Sequence, residues 1–146
     1  MEKVGKILEK KGHSVWSISP DATVYRSLEL MSEKGIGALM VINDKGKVEG
    51  IITERDYARK VFLKGRSSKE TYVKEIMTTD LFAVHPTTTV EECMALMTEK
   101  RVRHLPVMDG DKLVGLISIG DVLKAIIEAQ GIMIEHLSNY IMGSYV

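Results

Sequence analysis

Two pairs of residues in this chain have the types and the spacing to hold a small polar ligand. In "GIITERDY", Thr53 ends an apolar run and Asp56 follows three places on; in "GLISIGDV", Ser118 and Asp121 repeat the arrangement. Each time a hydroxyl closes a strand-like run and a carboxylate opens what reads as a helix, so both groups can point to one mouth. An ionised carboxylate accepts hydrogen bonds from neighbouring donors, which suits the vicinal hydroxyls of a ribose. The hydroxyl can join that network, and the free N–H groups of a new helix favour an anion nearby. Either pair alone reads equally well as a helix cap. Their recurrence keeps the ligand reading beside it.

Cations stand where a phosphate could follow. "RVRHLPV" sets Arg103 and His104 at the start of an apolar run, where a fork of donors can meet phosphate or a basic cluster can simply be solvated. The matching places in the first arrangement are Gly37 and Ala38, which offer only backbone N–H groups. Arg55, inside "TERD", is a further cation near that mouth, whereas Gly120 takes its place in the other. The two candidate sites are therefore chemically unequal. Trp16 and Phe82 hold matching positions ahead of the two arrangements, as flanks for a planar base or as core anchors.

Catalytic and metal templates do not fit. In "GLISIG", Gly115 lies one place too far from Ser118 for a nucleophile elbow. "GIGALM" lacks the third glycine of a dinucleotide fingerprint, and no phosphate-binding loop follows the G-x-x-x-x-G-K-[ST] pattern. No two of the histidines (His13, His85, His104, His136) stand at i, i+3 or i+4, and with a single cysteine no zinc site is expected. Cys93 lies where the first copy has Ser27 and reads as a buried structural thiol. No pair of groups looks tuned for acid–base work, so the chain reads as a non-enzyme.

The elements that must position these residues come from an internal repeat. Residues 17–56 lie over residues 83–121 with one residue dropped in a turn: Pro20 meets Pro86, Thr23-Val24 meets Thr89-Val90, Glu33-Lys34 meets Glu99-Lys100. Each copy reads as a short strand (near Val15–Ile18, then Phe82–Val84), a helix opened by Thr23 or Thr89, a hairpin, and a second helix leaving from Asp56 or Asp121. Thr89 and Glu92 predict a capping box. The first helix of each copy carries its apolar face on Val24, Leu28 and Met31, or on Val90, Cys93, Met94 and Met97. The methionines read as core filling or as a dimer surface. The fold expected is a mixed α/β (α+β) one: two pseudo-twofold-related strand-helix-strand-strand-helix motifs packed sheet to sheet as one module. The expected organisation is an N-terminal helix over 1–12, motif 1 over 13–66, a connecting segment over 67–77 with a short helix near Tyr72–Met77, motif 2 over 78–130, and a C-terminal helix over 131–146 with Ile134, Leu137 and Ile141 on one face.

The totals bound the function. With 146 residues, 45% hydrophobic and 27% charged, the chain can bury a sizeable core, and one copy of about 50 residues is small to stand alone. Twenty basic residues balance twenty acidic ones, against a nucleic-acid binder. No apolar run is long enough to span a membrane, the N-terminus lacks the apolar core of a signal peptide, and the lone cysteine fits a reducing cytoplasm.

The doubled order of Pro20 and Pro86 before a helix, "RHLPV" before a hairpin, and G-apolar-apolar-[ST]-x-x-D twice resembles the cystathionine-β-synthase (CBS) domain family. The resemblance is to a tandem pair of the stand-alone bacterial signal-transduction type, over about residues 12–130. It implies clefts that bind adenosyl compounds: AMP first, also ATP, ADP, NAD(H) or S-adenosylmethionine. It carries the ribose contacts onto Thr53, Asp56, Ser118 and Asp121, and phosphate contacts onto Arg103 and His104, with Arg55 as a further candidate. Base contacts fall on the stretches His13–Trp16 and Thr78–Phe82, giving Trp16, Thr78, Asp80 and Phe82 as candidates with Gly37 and Ala38; the last two depart from the basic pattern. It further implies a homodimer through helices and a cytoplasmic sensor that signals to a protein partner. The alternative is a protein–protein module whose clefts stay empty.

Overall fold

The N-terminal periodicity folds as read. In the computed structural model, which describes residues 2–131, α1 (Val4–Lys11) buries Val4, Ile7 and Leu8 and ends at Gly12, whose φ of 101° stops the helix. The C-terminal helix expected over 131–146 lies outside the described residues.

The first copy forms β1 (Ser17–Ile18), α2 (Val24–Lys34), β2 (Ala38–Ile42), β3 (Val48–Thr53) and α3 (Glu54–Tyr57), the last running on into a π-helical turn over Ala58–Phe62. Thr23 caps α2 by accepting from Arg26 N, and Gly35 closes it in the left-handed region. β1 pairs parallel with β2, and β2 antiparallel with β3, in the order β1-β2-β3. The segment that follows contributes α4 (Val73–Ile76).

The second copy forms α5 (Val90–Lys100), β4 (His104–Asp109), β5 (Lys112–Ser118) and α6 (Ile119–Ala129). The Thr89–Glu92 capping box is formed as predicted. The antiparallel pair β4-β5 shifts register between Val107 and Met108, matching the shift between Val41 and Ile42 in the first copy. The strand expected over Phe82–Val84 shrinks to a single bridge between Val84 and Val107. Arg101 closes α5 in the left-handed conformation that Gly35 adopts in the first copy, with a φ of 55°.

The chain divides into two units that do not follow the repeat. The first unit is Ser14–Leu81; the second joins the N-terminal stretch through His13 to the chain from Phe82 on. In each, the segment that precedes one copy completes the other. Within the second unit, Val4 N donates to Thr88 O and Val90 N to Glu2 O. Within the first, Val24 N donates to Thr71 O and Val73 N to Ala22 O. Val4, Ile7 and Leu8 thus match Val73, Ile76 and Met77. Leu8 lies over Gly115 and Met77 over Gly50, where a β-carbon would meet Leu8 Cδ2 at 2.6 Å or the Thr78 carbonyl oxygen at 2.6 Å. Only glycine admits so close an approach.

Each unit closes its own apolar cluster, around Leu39, Val41, Ile52 and Val73 in the first and Leu8, Leu105, Val107 and Ile117 in the second. Met31 and Met97 are 3% and 2% exposed and Met94 packs partly buried against the second cluster, so these methionines serve as core filling. Cys93 is fully buried, and burial followed by the charge of Glu92 pushes its thiol up to about 11. That is the inert structural thiol its position predicted.

Candidate functional site

In the first unit the register Ala38↔Thr53 brings the end of β3 beside the start of β2. Thr53, with extended backbone, is the N-cap of α3: its Oγ1 accepts from Asp56 N at 3.1 Å. Asp56 therefore stands in the first turn and does not open the helix. Its Oδ2 closes the capping box by accepting from Thr53 N at 3.0 Å and also accepts from Thr53 Oγ1 at 3.1 Å. Its Oδ1 accepts from Thr78 Oγ1 at 3.2 Å and pairs with Lys60 Nζ at 3.0 Å. Lys60, one turn on, also donates to Ile76 O at 2.9 Å. Asp56 is 8% exposed, and four donors surround it.

At the mouth of this site Gly37 O accepts from Glu54 N at 3.0 Å. Glu54 Oε1 lies 2.8 Å from where a Gly37 β-carbon would stand, so an acidic group fills the space above Gly37. Ala38 is buried, Arg55 half-buried, and Asp80 exposed. Trp16 is 46% exposed, and Lys34 Nζ sits 4.2 Å from its ring centroid, a cation on the indole face.

The second unit builds the same frame with different chemistry. His104 stands opposite Ser118 in the β4-β5 register, and Ile119 N donates to Arg103 O at 2.9 Å. Ser118 Oγ accepts from Asp121 N at 3.2 Å, and Asp121 Oδ2 accepts from Ser118 N at 2.8 Å. The cation on this carboxylate comes from α1: Lys11 Nζ donates to Asp121 Oδ2 at 2.6 Å and to Leu116 O at 2.8 Å. His13 Nδ1 follows with a 2.9 Å bond to Val114 O. Burial opposes ionisation of Asp121, yet the hydrogen bonds from Lys11 and Ser118 outweigh it and hold the carboxyl below its ordinary value. His104 is pushed below its ordinary value by burial first, then by Lys11, with Asp121 opposing. Arg103 presents its side chain to solvent. Phe82 belongs to this unit, half-buried against its core, with Lys100 Nζ 5.4 Å from its ring centroid.

The structure thus gathers Thr53, Asp56, Arg55, Gly37, Ala38 and Thr78 in the first unit and Ser118, Asp121, Arg103 and His104 in the second. Sequence reasoning missed Lys60 and Lys11, the two cations on the carboxylates. Lys60 was findable as the i+4 partner of Asp56. Lys11 stands 110 residues from Asp121, and no local pattern announces it. Among the described residues no cluster of His, Cys, Asp and Glu could hold a metal ion, and no helix is long and apolar enough to cross a membrane.

Known proteins carry the same frame. The CBS domain family matches residues 4–62 and again residues 73–128. The CBS domain-containing protein CBSX3, mitochondrial, of Arabidopsis thaliana is 39% identical over 97% of this chain and 73% of its own length. The solved structure of a putative signal-transduction protein with CBS domains from Burkholderia ambifaria is 53% identical, with a TM-score of 0.83 over 88% of this chain and 96% of that one. The inosine-5′-monophosphate dehydrogenase of Methanocaldococcus jannaschii is 35% identical over 75% of this chain, which spans only 21% of that enzyme. Two matches that together cover most of the residues, each beginning in a segment that completes the other copy's core, identify the chain as a member of the CBS domain family, a tandem pair of the kind found in regulatory and signal-transduction proteins.

Proposed function

We propose that this chain is a non-catalytic regulatory module that binds an adenine nucleotide, AMP first and ATP, ADP or NAD(H) as further candidates. The observation that carries the reading is the lysine-paired carboxylate beside a strand-ending hydroxyl, built at the same register in both units. A helix needs a cap, but it does not need a lysine brought from 110 residues away to the capping carboxylate. In this reading the carboxylate takes ribose hydroxyls with Thr53 or Ser118. Arg103, His104 and Lys11 face the phosphate in the second unit, with Arg55 as a weaker equivalent in the first. The base lies toward Trp16, Gly37, Ala38, Thr78 and Asp80 in the first unit, and toward Phe82 in the second. Occupancy shifts the balance between two conformations that a protein partner distinguishes, and the signal is limited to the ligand's differential affinity for them. The reading includes self-association through helices, for which Leu123, 44% exposed on α6, is the supporting residue.

The test is thermal unfolding of nucleotide-free protein against AMP, ATP, NAD, NADH and S-adenosylmethionine. A ligand at about a hundred times its Kd adds roughly 2.7 kcal/mol, a rise of about 5–10 °C for a chain of this size. A rise with one of them that Asp121→Ala abolishes supports the sensor. Flat curves with all five return Asp56 and Asp121 to helix capping and favour the protein–protein module.

A further inference from the structure

We propose that the second unit's site alone takes an anionic nucleotide, and that Thr78 and Glu54 keep the first unit's site closed to it. The inference rests on the nucleotide reading above and goes further, since it names the loaded site and the residues that decide it.

Two independent features separate the sites. The first is the hydrogen-bonding capacity of the carboxylate, which has about four lone-pair positions. Asp56 accepts three hydrogen bonds, from Thr53 N and Thr53 Oγ1 on Oδ2 and from Thr78 Oγ1 on Oδ1, and Lys60 Nζ pairs with Oδ1 at 3.0 Å. A ribose diol can reach it only by displacing one of these donors. Asp121 receives Ser118 N and Lys11 Nζ, both on Oδ2, and no donor among the described residues reaches Oδ1. Lys11 has two of its three ammonium hydrogens engaged, on Asp121 and Leu116 O. A hydroxyl can therefore donate to Asp121 Oδ1 while a neighbouring oxygen accepts from Lys11. Neither partner has to leave first.

The second feature is charge at the phosphate position. Where the second unit carries Arg103 and Ile119, the first carries Gly37 and Glu54, with the Glu54 carboxylate over the glycine. In the first unit Arg55 and Lys60 are balanced by Glu54 and Asp56. In the second, Lys10, Lys11 and Lys124 line the groove beside Asp121 against Glu2, Glu128 and Asp121, and Arg103 adds an exposed cation at the start of β4. A phosphate is drawn to the second site and meets a carboxylate at the first.

Isothermal titration of the full chain with AMP and with ATP tests this. The expected result is one equivalent per chain, with any second equivalent at least tenfold weaker, since one hydrogen bond to a charged group is worth about tenfold. Asp121→Asn abolishes the binding, and Thr78→Val combined with Glu54→Gln admits a second equivalent. Should Asp121→Asn fail to fold by circular dichroism, Arg103→Ala, at an exposed position, weakens ATP binding about tenfold. Two equivalents of like affinity in the unaltered protein overturn the inference. So does one equivalent that survives loss of Asp121, one whose ATP affinity is unchanged by loss of Arg103, or a Thr78→Val/Glu54→Gln chain that still takes only one. An unaltered protein that binds neither nucleotide overturns the AMP and ATP readings of the proposed function, and this inference with them.

Discussion

A single added carbon at Gly115 tests how α1 is held on the second copy. A β-carbon there would lie 2.6 Å from Leu8 Cδ2 and 2.9 Å from Cδ1, and Leu8 is 1% exposed. Carbon atoms pack at about 3.5–4.0 Å, so Leu8 must leave its rotamer or α1 must lift. Overpacking of this kind costs about 1–3 kcal/mol. Leu8→Ala alone leaves a cavity and costs about 2–5 kcal/mol. The clash is with the side chain that Leu8→Ala removes, so the double variant should be more stable than the sum of the singles by about 1–2 kcal/mol. The first unit supplies the control. A β-carbon on Gly50 meets the Thr78 carbonyl oxygen at 2.6 Å, a backbone atom, with Met77 Sδ farther off at 3.2 Å. Met77→Ala should therefore leave most of the Gly50→Ala cost in place. Since each unit has its own core, hydrogen exchange at the amides of β3 and β5 assigns the losses better than one melting curve. Strict additivity of Gly115→Ala and Leu8→Ala would refute the packing of α1 over β5 described above.

Two further predictions concern the second unit. Arg101 holds a φ of 55° where the first copy has Gly35, so Arg101→Gly should stabilise by about 0.5–1 kcal/mol through relief of left-handed strain; a loss in the urea midpoint would contradict that. Asp121 and His104 both titrate lower folded than unfolded, so the unfolded chain takes up protons first and each group's contribution is lost as pH falls. For His104 the decline begins near 6.5 and continues to its lower folded value; for Asp121 it begins near 3.8 and continues below. Stability against pH should lose its decline below 6.5 in His104→Gln and its acid limb in Asp121→Asn, and an unchanged curve in either would remove the cause assigned here.

Much of the fold was legible because its signals are local. The capping threonines, the turn between each pair of apolar runs and the helical spacing of Val24, Leu28 and Met31 each act within a few residues, and the repeat states each of them twice. The exchange of segments was not legible. Val4, Ile7 and Leu8 read as an amphipathic helix, but an apolar face does not say which surface it covers. The clue was present in Val73, Ile76 and Met77, at the same spacing ahead of the second copy. It was hidden by the three extra residues between Leu8 and Pro20 relative to Met77 and Pro86. The short first strand of the second copy failed for a related reason: Phe82 packs against the core while only Val84 reaches β4, so residue type favoured more strand than the pairing supports.

At the candidate site, capping and ligand binding first read as rivals, and the geometry makes them compatible. A capping carboxylate needs one oxygen for the N-cap N–H, and Asp121 meets that need with Oδ2 alone. Asp56 performs the same task, yet Thr78 and Lys60 take its other oxygen. The same S/T-x-x-D signature therefore sets one carboxylate with both oxygens engaged and one whose Oδ1 meets no donor among the described residues. The difference is made by Thr78, 22 residues downstream of Asp56, and Lys60, one helical turn on, neither of which the motif contains. A motif of four residues fixes where the carboxylate stands; the donors that reach it through the fold decide whether a ligand can.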